Sequence, residues 1–172
     1  SVANFFSYGI LQWQPAFFIR SFGMETGAIG TWLTVTYGLA TLLGTYLGGE
    51  LATRHAAHNE SVQLKGMALA VVSAGVFSIG VYLSPNPYWA FMWLGLAAVG
   101  QTTLNGPTFS TIQTLVPDHM RAVAFALVYM FSNLIGMGLG PLAAGALSDA
   151  FRPWVGEESL RYASIVLAPG YF

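Results

Sequence analysis

The chain has 172 residues, 55% hydrophobic and only 8% charged, with a mean hydropathy of +0.59. Soluble domains carry about 25% charged residues, so an ordinary soluble fold is excluded. The formal net charge of −1 gives no footprint for nucleic acid, and the absence of cysteine excludes disulfides, thiol catalysis and cysteine-based metal sites.

Between Gly66 and Pro117 there is no charged residue, and none between Ala122 and Ser148. Uncharged apolar stretches of that length read as transmembrane helices. In chain order the pattern gives five spans and a stub, an all-α integral membrane bundle. The first covers about 2–19, and Arg20 closes it, where a long side chain snorkels to the headgroups. The second covers about 28–51, with Thr26 as its N-cap. The polar loop "ATRHAAHNESVQLK" follows. The third span covers about 66–83 and ends at the turn "SPNP". The fourth covers about 88–116 and is broken by "NGP", where Pro107 cannot donate a backbone hydrogen bond. "PDHMR" is the next turn, the fifth span covers about 122–147, and a stub begins near 162. At ~1.5 Å per residue the fifth span exceeds the ~30 Å hydrocarbon core, so it should tilt or protrude. The two chain ends read as cuts through a longer protein. Charge does not orient the bundle: Arg54, Lys65 and Arg121 lie on one side, and Arg20, Arg152 and Arg161 on the other.

Polar groups inside lipid face a cavity or a partner helix. Tyr8 and Gln12 share a face of the first span, as do Tyr37 and Thr41 on the second, Gln101 and Asn105 on the fourth, and Tyr129 and Asn133 on the fifth. Each such residue could be interhelical glue worth ~1 kcal/mol. Recurrence on four helices favours a shared polar cavity, with Tyr8, Gln12, Tyr37, Gln101, Asn105, Tyr129 and Asn133 as its lining. The tract "NLIGMGLGPLAAGALSD" places Gly136, Gly140, Ala144 and Ser148 four apart. That is a smooth stripe on which another helix can come close, with Pro141 weakening the helix beside it. Pro107, Gly136, Gly140 and Pro141 are thus the packing and hinge candidates.

No nucleophile elbow, HExxH or phosphate-binding loop is present, so no enzyme is expected. No metal or cofactor is expected either; His55 and His58 alone are too few for a zinc site. No carboxylate or histidine lies in mid-span, so if transport is coupled to a proton or cation, the titrating group lies outside this fragment.

The tracts "WQPAFFIRSFGM", "GGELATRH", "LVPDHMRAVAFA" and "SNLIGMGLGPLAAGALSD", in that order, resemble the major facilitator superfamily, and within it the spinster-like branch. The resemblance covers nearly the whole chain and is most specific from Leu115 to Asp149. It implies a twelve-helix fold in two halves, working by alternating access on an organic, lipid-like amphipathic solute. The family's loop between the second and third helices of each half reads G-x-x-x-D-R. Here Gly49, Thr53 and Arg54 occupy the G, D and R places, with threonine for the aspartate and no trailing basic cluster. That departure fits the second half: helices seven to eleven and the start of twelve, with helices one to five as the alternative. The resemblance also implies that the loops holding Arg54 and Arg121 are cytoplasmic, that Arg54 latches one state, and that the other half and the lipid bilayer are partners. The implied location is the plasma or bacterial inner membrane. A competing reading is a non-transporting sensor or scaffold whose helices serve only packing.

Overall fold

A computed structural model of the chain describes residues 2–50, 53, 60–106, 109 and 116–171. Among these the regular structure is helical, with no strand. The long helices are α1 (Val2–Phe22), α2 (Thr26–Glu50), α3 (Glu60–Leu83) and α4 (Pro87–Thr103). They are followed by α5 (Arg121–Asn133), α6 (Gly140–Val155) and the short α7 (Ser159–Leu167). Two helices, Lys65–Leu83 and the continuous stretch Asp118–Leu167, are long and apolar enough to cross a membrane by length and composition.

Local chemistry sets the helix ends. Gly23, at φ 63°, ends α1 and donates its N–H to the Ile19 carbonyl at 3.0 Å. Glycine adopts that left-handed conformation without steric cost. The α2 helix begins at Thr26 itself, so Thr26 is not its N-cap. Between α3 and α4, Asn86 caps α4 by accepting the Tyr88 N–H at 2.9 Å, and Pro87 takes the first helical position, where no N–H is needed. The regular helix of α4 stops at Thr103, with a turn at Leu104.

The fifth span is not one uniform helix. Between α5 and α6 the six residues Leu134–Leu139 form a π-helical turn, just ahead of Pro141. Such bulges accommodate a local failure of the α ladder. Helix then continues past 147 to Val155, and Gly156 at φ 60° ends it.

The helices meet in two different ways. Toward the end where α1 stops and α2 starts, the core is aromatic. Phe18 stacks on Phe91 at 4.2 Å between centroids, and Phe17 meets Tyr82 edge-on at 4.9 Å. Ile29, Val81, Ala90, Leu94 and Leu160 complete that core. Toward the other end the contacts are backbone on backbone. A Cβ added to Gly9 would lie 2.8 Å from the Gly140 carbonyl oxygen, and one on Gly140 would lie 2.5 Å from that of Phe5. Similarly, a Cβ on Gly44 would collide with the Thr102 hydroxyl, and one on Gly48 with the Thr103 carbonyl. In lipid there is no hydrophobic drive between helices, so close van der Waals approach through small residues holds these pairs.

Candidate functional site

The α1 helix is the axis of the polar chemistry. At about 100° per residue its faces can be assigned to neighbours. Gly9 and Trp13 face α6, where the Trp13 indole N–H donates to the Pro141 carbonyl at 2.9 Å and its ring covers Gly145. Ser7 and Gln14 face α4 and α2. The Gln101 amide donates to the Ser7 hydroxyl at 2.9 Å, and the Tyr37 hydroxyl donates to Gln14 Oε1 at 2.7 Å. Phe17 faces α3 and α7, against Tyr82 and under the Arg161 guanidinium at 5.7 Å.

One side of α1 remains uncovered. Tyr8, Leu11, Gln12, Pro15 and Ile19 lie on it, within one face at about 100° per residue. Gln12, Leu11 and Ile19 are exposed, and Tyr8 and Pro15 half-buried. Neither Tyr8 nor Gln12 has a hydrogen-bond partner among the described residues. The stripe is therefore a wall of one phenol and one amide set among aliphatic groups, with no charged residue between Val2 and Ile19.

The structure divides the seven predicted lining residues. Tyr37 and Gln101 are tied between helices, 23 and 94 positions from their partners. That is the geometry of interhelical glue. Tyr8, Gln12, Asn105, Tyr129 and Asn133 have no side-chain hydrogen bond among the described residues. Asn105 is exposed just past the α4 break, Asn133 is half-buried where the π turn begins, and Tyr129 is exposed and stacks on Phe109 at 6.2 Å. In the loop motif, the Thr53 hydroxyl donates to the Gly49 carbonyl at 2.8 Å, and Gly49 and Gly48 abut Gly106 of the α4 break. Arg54 and Pro107 lie outside the described residues. The four-spaced Gly136, Gly140, Ala144 and Ser148 are all buried, Gly140 against Gly9.

Sequence reasoning missed Ser7, Trp13 and Gln14 as the partners. It also missed the stripe Ala40, Gly44 and Gly48, which lays α2 on α4, with the Thr102 hydroxyl 3.2 Å from the Ala40 carbonyl. The spacing rule that singled out 136–148 would have found it. The charged groups sit at the helix ends. Asp118 pairs with Arg121 at 2.8 Å, and Arg121 also donates to the Val116 carbonyl, closing the "PDHMR" turn.

Long uncharged helices crossing through glycine, with side-chain amides and hydroxyls paired across the crossings, define a polytopic α-helical membrane protein. Residues 1–141 match the sequence profile of the Major Facilitator Superfamily, and the chain belongs to that family. An MFS-type efflux pump of Mycolicibacterium smegmatis is 29% identical over 164 residues, which is 93% of this chain and 37% of that protein. Crystal structures of a bacterial homolog to the human lysosomal transporter Spinster, in inward-facing occupied and unoccupied conformations, share its fold. Their TM-scores are 0.82 and 0.79 at 20% identity, over 99% of this chain and 44% or 43% of theirs. The chain thus spans well under half the length of each protein it is compared with here.

Proposed function

We propose that this chain is the wall-forming part of a secondary transporter that moves an organic, amphipathic, lipid-like solute by alternating access. The supporting observation is the uncovered side of α1. Three sides of that helix are occupied by packing, and the fourth offers Tyr8 and Gln12 among aliphatic side chains. Polar groups left unpartnered in a membrane helix are costly unless they face a water-filled path or a ligand. A solute with apolar bulk and a few hydrogen-bonding atoms suits that wall. A charged headgroup would find its counter-charge on the other half, as would a coupling proton or cation.

We assign the chain to the second half of the transporter, helices seven to eleven and the start of twelve, because Thr53 stands where the family's loop carries aspartate. The "ATRHAAHNESVQLK" and "PDHMR" loops are then cytoplasmic, and Arg54 latches one state from that side. The membrane is the bacterial inner membrane or the plasma membrane.

The test is uptake of a labelled lysophospholipid by the full-length protein in proteoliposomes. Gln12→Ala should cut the uptake rate by about tenfold, equivalent to ~1.4 kcal/mol of lost transition-state stabilisation, with the melting temperature unchanged. Gln101→Ala should act instead through stability. Full uptake by Gln12→Ala and Tyr8→Phe would overturn the assignment of the wall. A cysteine at 12 whose labelling never alternates between the two sides would favour the scaffold reading.

A further inference from the structure

At the aromatic end of the bundle, beside the turn between α3 and α4, lies a cleft of about 400 Å³ lined by Gly80, Leu83, Ser84, Pro85, Trp89 and Trp93. We propose that this cleft is a phospholipid site that seats the glycerol-ester region and upper acyl chain of a bilayer lipid. The inference takes from the proposed function only which side of α1 bears the solute wall; for the rest it rests on membership of a membrane family.

Position is the first argument. Phe17, which packs on Tyr82 of α3, lies about 180° around α1 from Tyr8, at about 100° per residue. The outer face of α3 therefore points away from the wall assigned to the solute, toward the bilayer. That face is apolar and exposed at Leu69, Val72, Val76 and Leu83, and Leu83 carries it into the cleft.

Depth is the second. Trp89 and Trp93 are the third and seventh residues of α4, so they lie within roughly 10 Å of its start. Trp32, early in α2, and Trp154, near the end of α6, stand at the same end of the bundle. Tryptophan gathers at the headgroup level of membranes, which puts the cleft where lipid esters reside.

Chemistry is the third. A Cβ on Gly80 would come within 3.0 Å of the Trp93 ring, so glycine lets that ring lie close against α3 and sets the position of one wall of the cleft. The Ser84 hydroxyl is turned inward onto the Gly80 carbonyl at 2.8 Å. The indole N–H groups of Trp89 and Trp93 have no acceptor among the described residues, and no charged side chain lines the cleft. A mostly apolar lining that includes two indoles, each with a neutral donor, suits ester carbonyls and a chain. It does not match an anionic headgroup, which calls for arginine or lysine.

The experiment uses the full-length protein in phosphatidylcholine vesicles doped with a phosphatidylcholine that carries a diazirine high on one acyl chain. After photolysis, adducts are mapped by peptide mass spectrometry. They should concentrate within 80–93 above the level at Leu69 and Val72. Trp89→Ala should lower them about tenfold, the effect of ~1.4 kcal/mol. Trp89 is 55% exposed, so its truncation leaves the core intact. Gly80→Ala, which displaces the Trp93 ring, should lower them too; should it fail to fold, Trp89→Ala decides alone. Uniform labelling along α3, or labelling indifferent to Trp89→Ala, overturns the site. Uptake plays no part in the readout, so failure of the transport reading and failure of the lipid site are told apart.

Discussion

Gly140→Ala tests the crossing of α1 and α6 with a single methyl group. The new Cβ would lie 2.5 Å from the Phe5 carbonyl oxygen and 2.8 Å from the Gly9 nitrogen, where ordinary contacts run 3.4–4 Å. Both obstacles are backbone, so no rotamer change relieves them, and the helices must separate by roughly 1 Å to restore ordinary contact. That shift would stretch the 2.9 Å bond from Trp13 to the Pro141 carbonyl past hydrogen-bonding range. Overpacking costs about 1–3 kcal/mol, and the lost bond about 1 kcal/mol more. The sum, ~2–4 kcal/mol, corresponds to a drop of roughly 5–10 °C in melting temperature at a few degrees per kcal/mol. The assay is thermal unfolding of the full-length protein in detergent, with Gly138→Ala as control, since a Cβ there meets nothing within 4 Å. Gly9→Ala should cause a similar drop, and Gly9→Ala with Gly140→Ala less than the sum, because one separation relieves both clashes. A Gly140→Ala protein that melts with the Gly138→Ala control would refute the close crossing.

Removing the cap in Asn86→Ala should cost about 1 kcal/mol of stability, and Asn86→Asp should restore most of it, both read as melting temperature. Tyr37→Phe removes the hydroxyl that donates to the amide oxygen of Gln14, which is 5% exposed; a loss of about 1 kcal/mol should follow in the same melt. Gly23→Ala should destabilise by about 1 kcal/mol although a Cβ there meets nothing, because φ is 63°; Gly27→Ala, equally open and at ordinary φ, should be neutral or better in the same melt.

The helices were legible because charge is absent from long stretches and their ends carry specific chemistry. Asn86 with Pro87 is a case where the covalent structure of neighbouring residues fixes the outcome. The stripe from Gly136 to Ser148 was legible for the same reason: small residues four apart share a face whatever surrounds them. What sequence could not supply is the choice among polar residues on one helix. Gln12 and Gln14 are two positions apart, one exposed and one 5% exposed, and only the direction of α2 decides which meets Tyr37. Pairing partners such as Ser7 and Gln101 sit 94 residues apart, beyond any local rule. The π turn was half legible, since glycines before a proline announce a weak ladder without saying how it fails.

The two modes of packing in the bundle differ in what they resist. Interdigitated rings such as Phe18 on Phe91 lock the register between α1 and α4, because sliding must first unstack them. A crossing of Gly9 on Gly140 has no side chains to interdigitate, so this close backbone contact offers little steric obstruction to a small shift along it. The breaks in the helical ladder, at Leu104 and across Leu134–Leu139, fall on the glycine side of the bundle, beside Gly48 and Gly140. If the half rocks during transport, its aromatic end moves as a block and the adjustment falls on the glycine crossings. The uncovered stripe of α1 runs from one region to the other, with Tyr8 beside the Gly9 crossing and Ile19 beside the aromatic core. A shift at Gly9 would therefore move Tyr8 and Gln12 more than Ile19, so a small slip between two helices would reshape the proposed solute wall without unpacking the core that supports it.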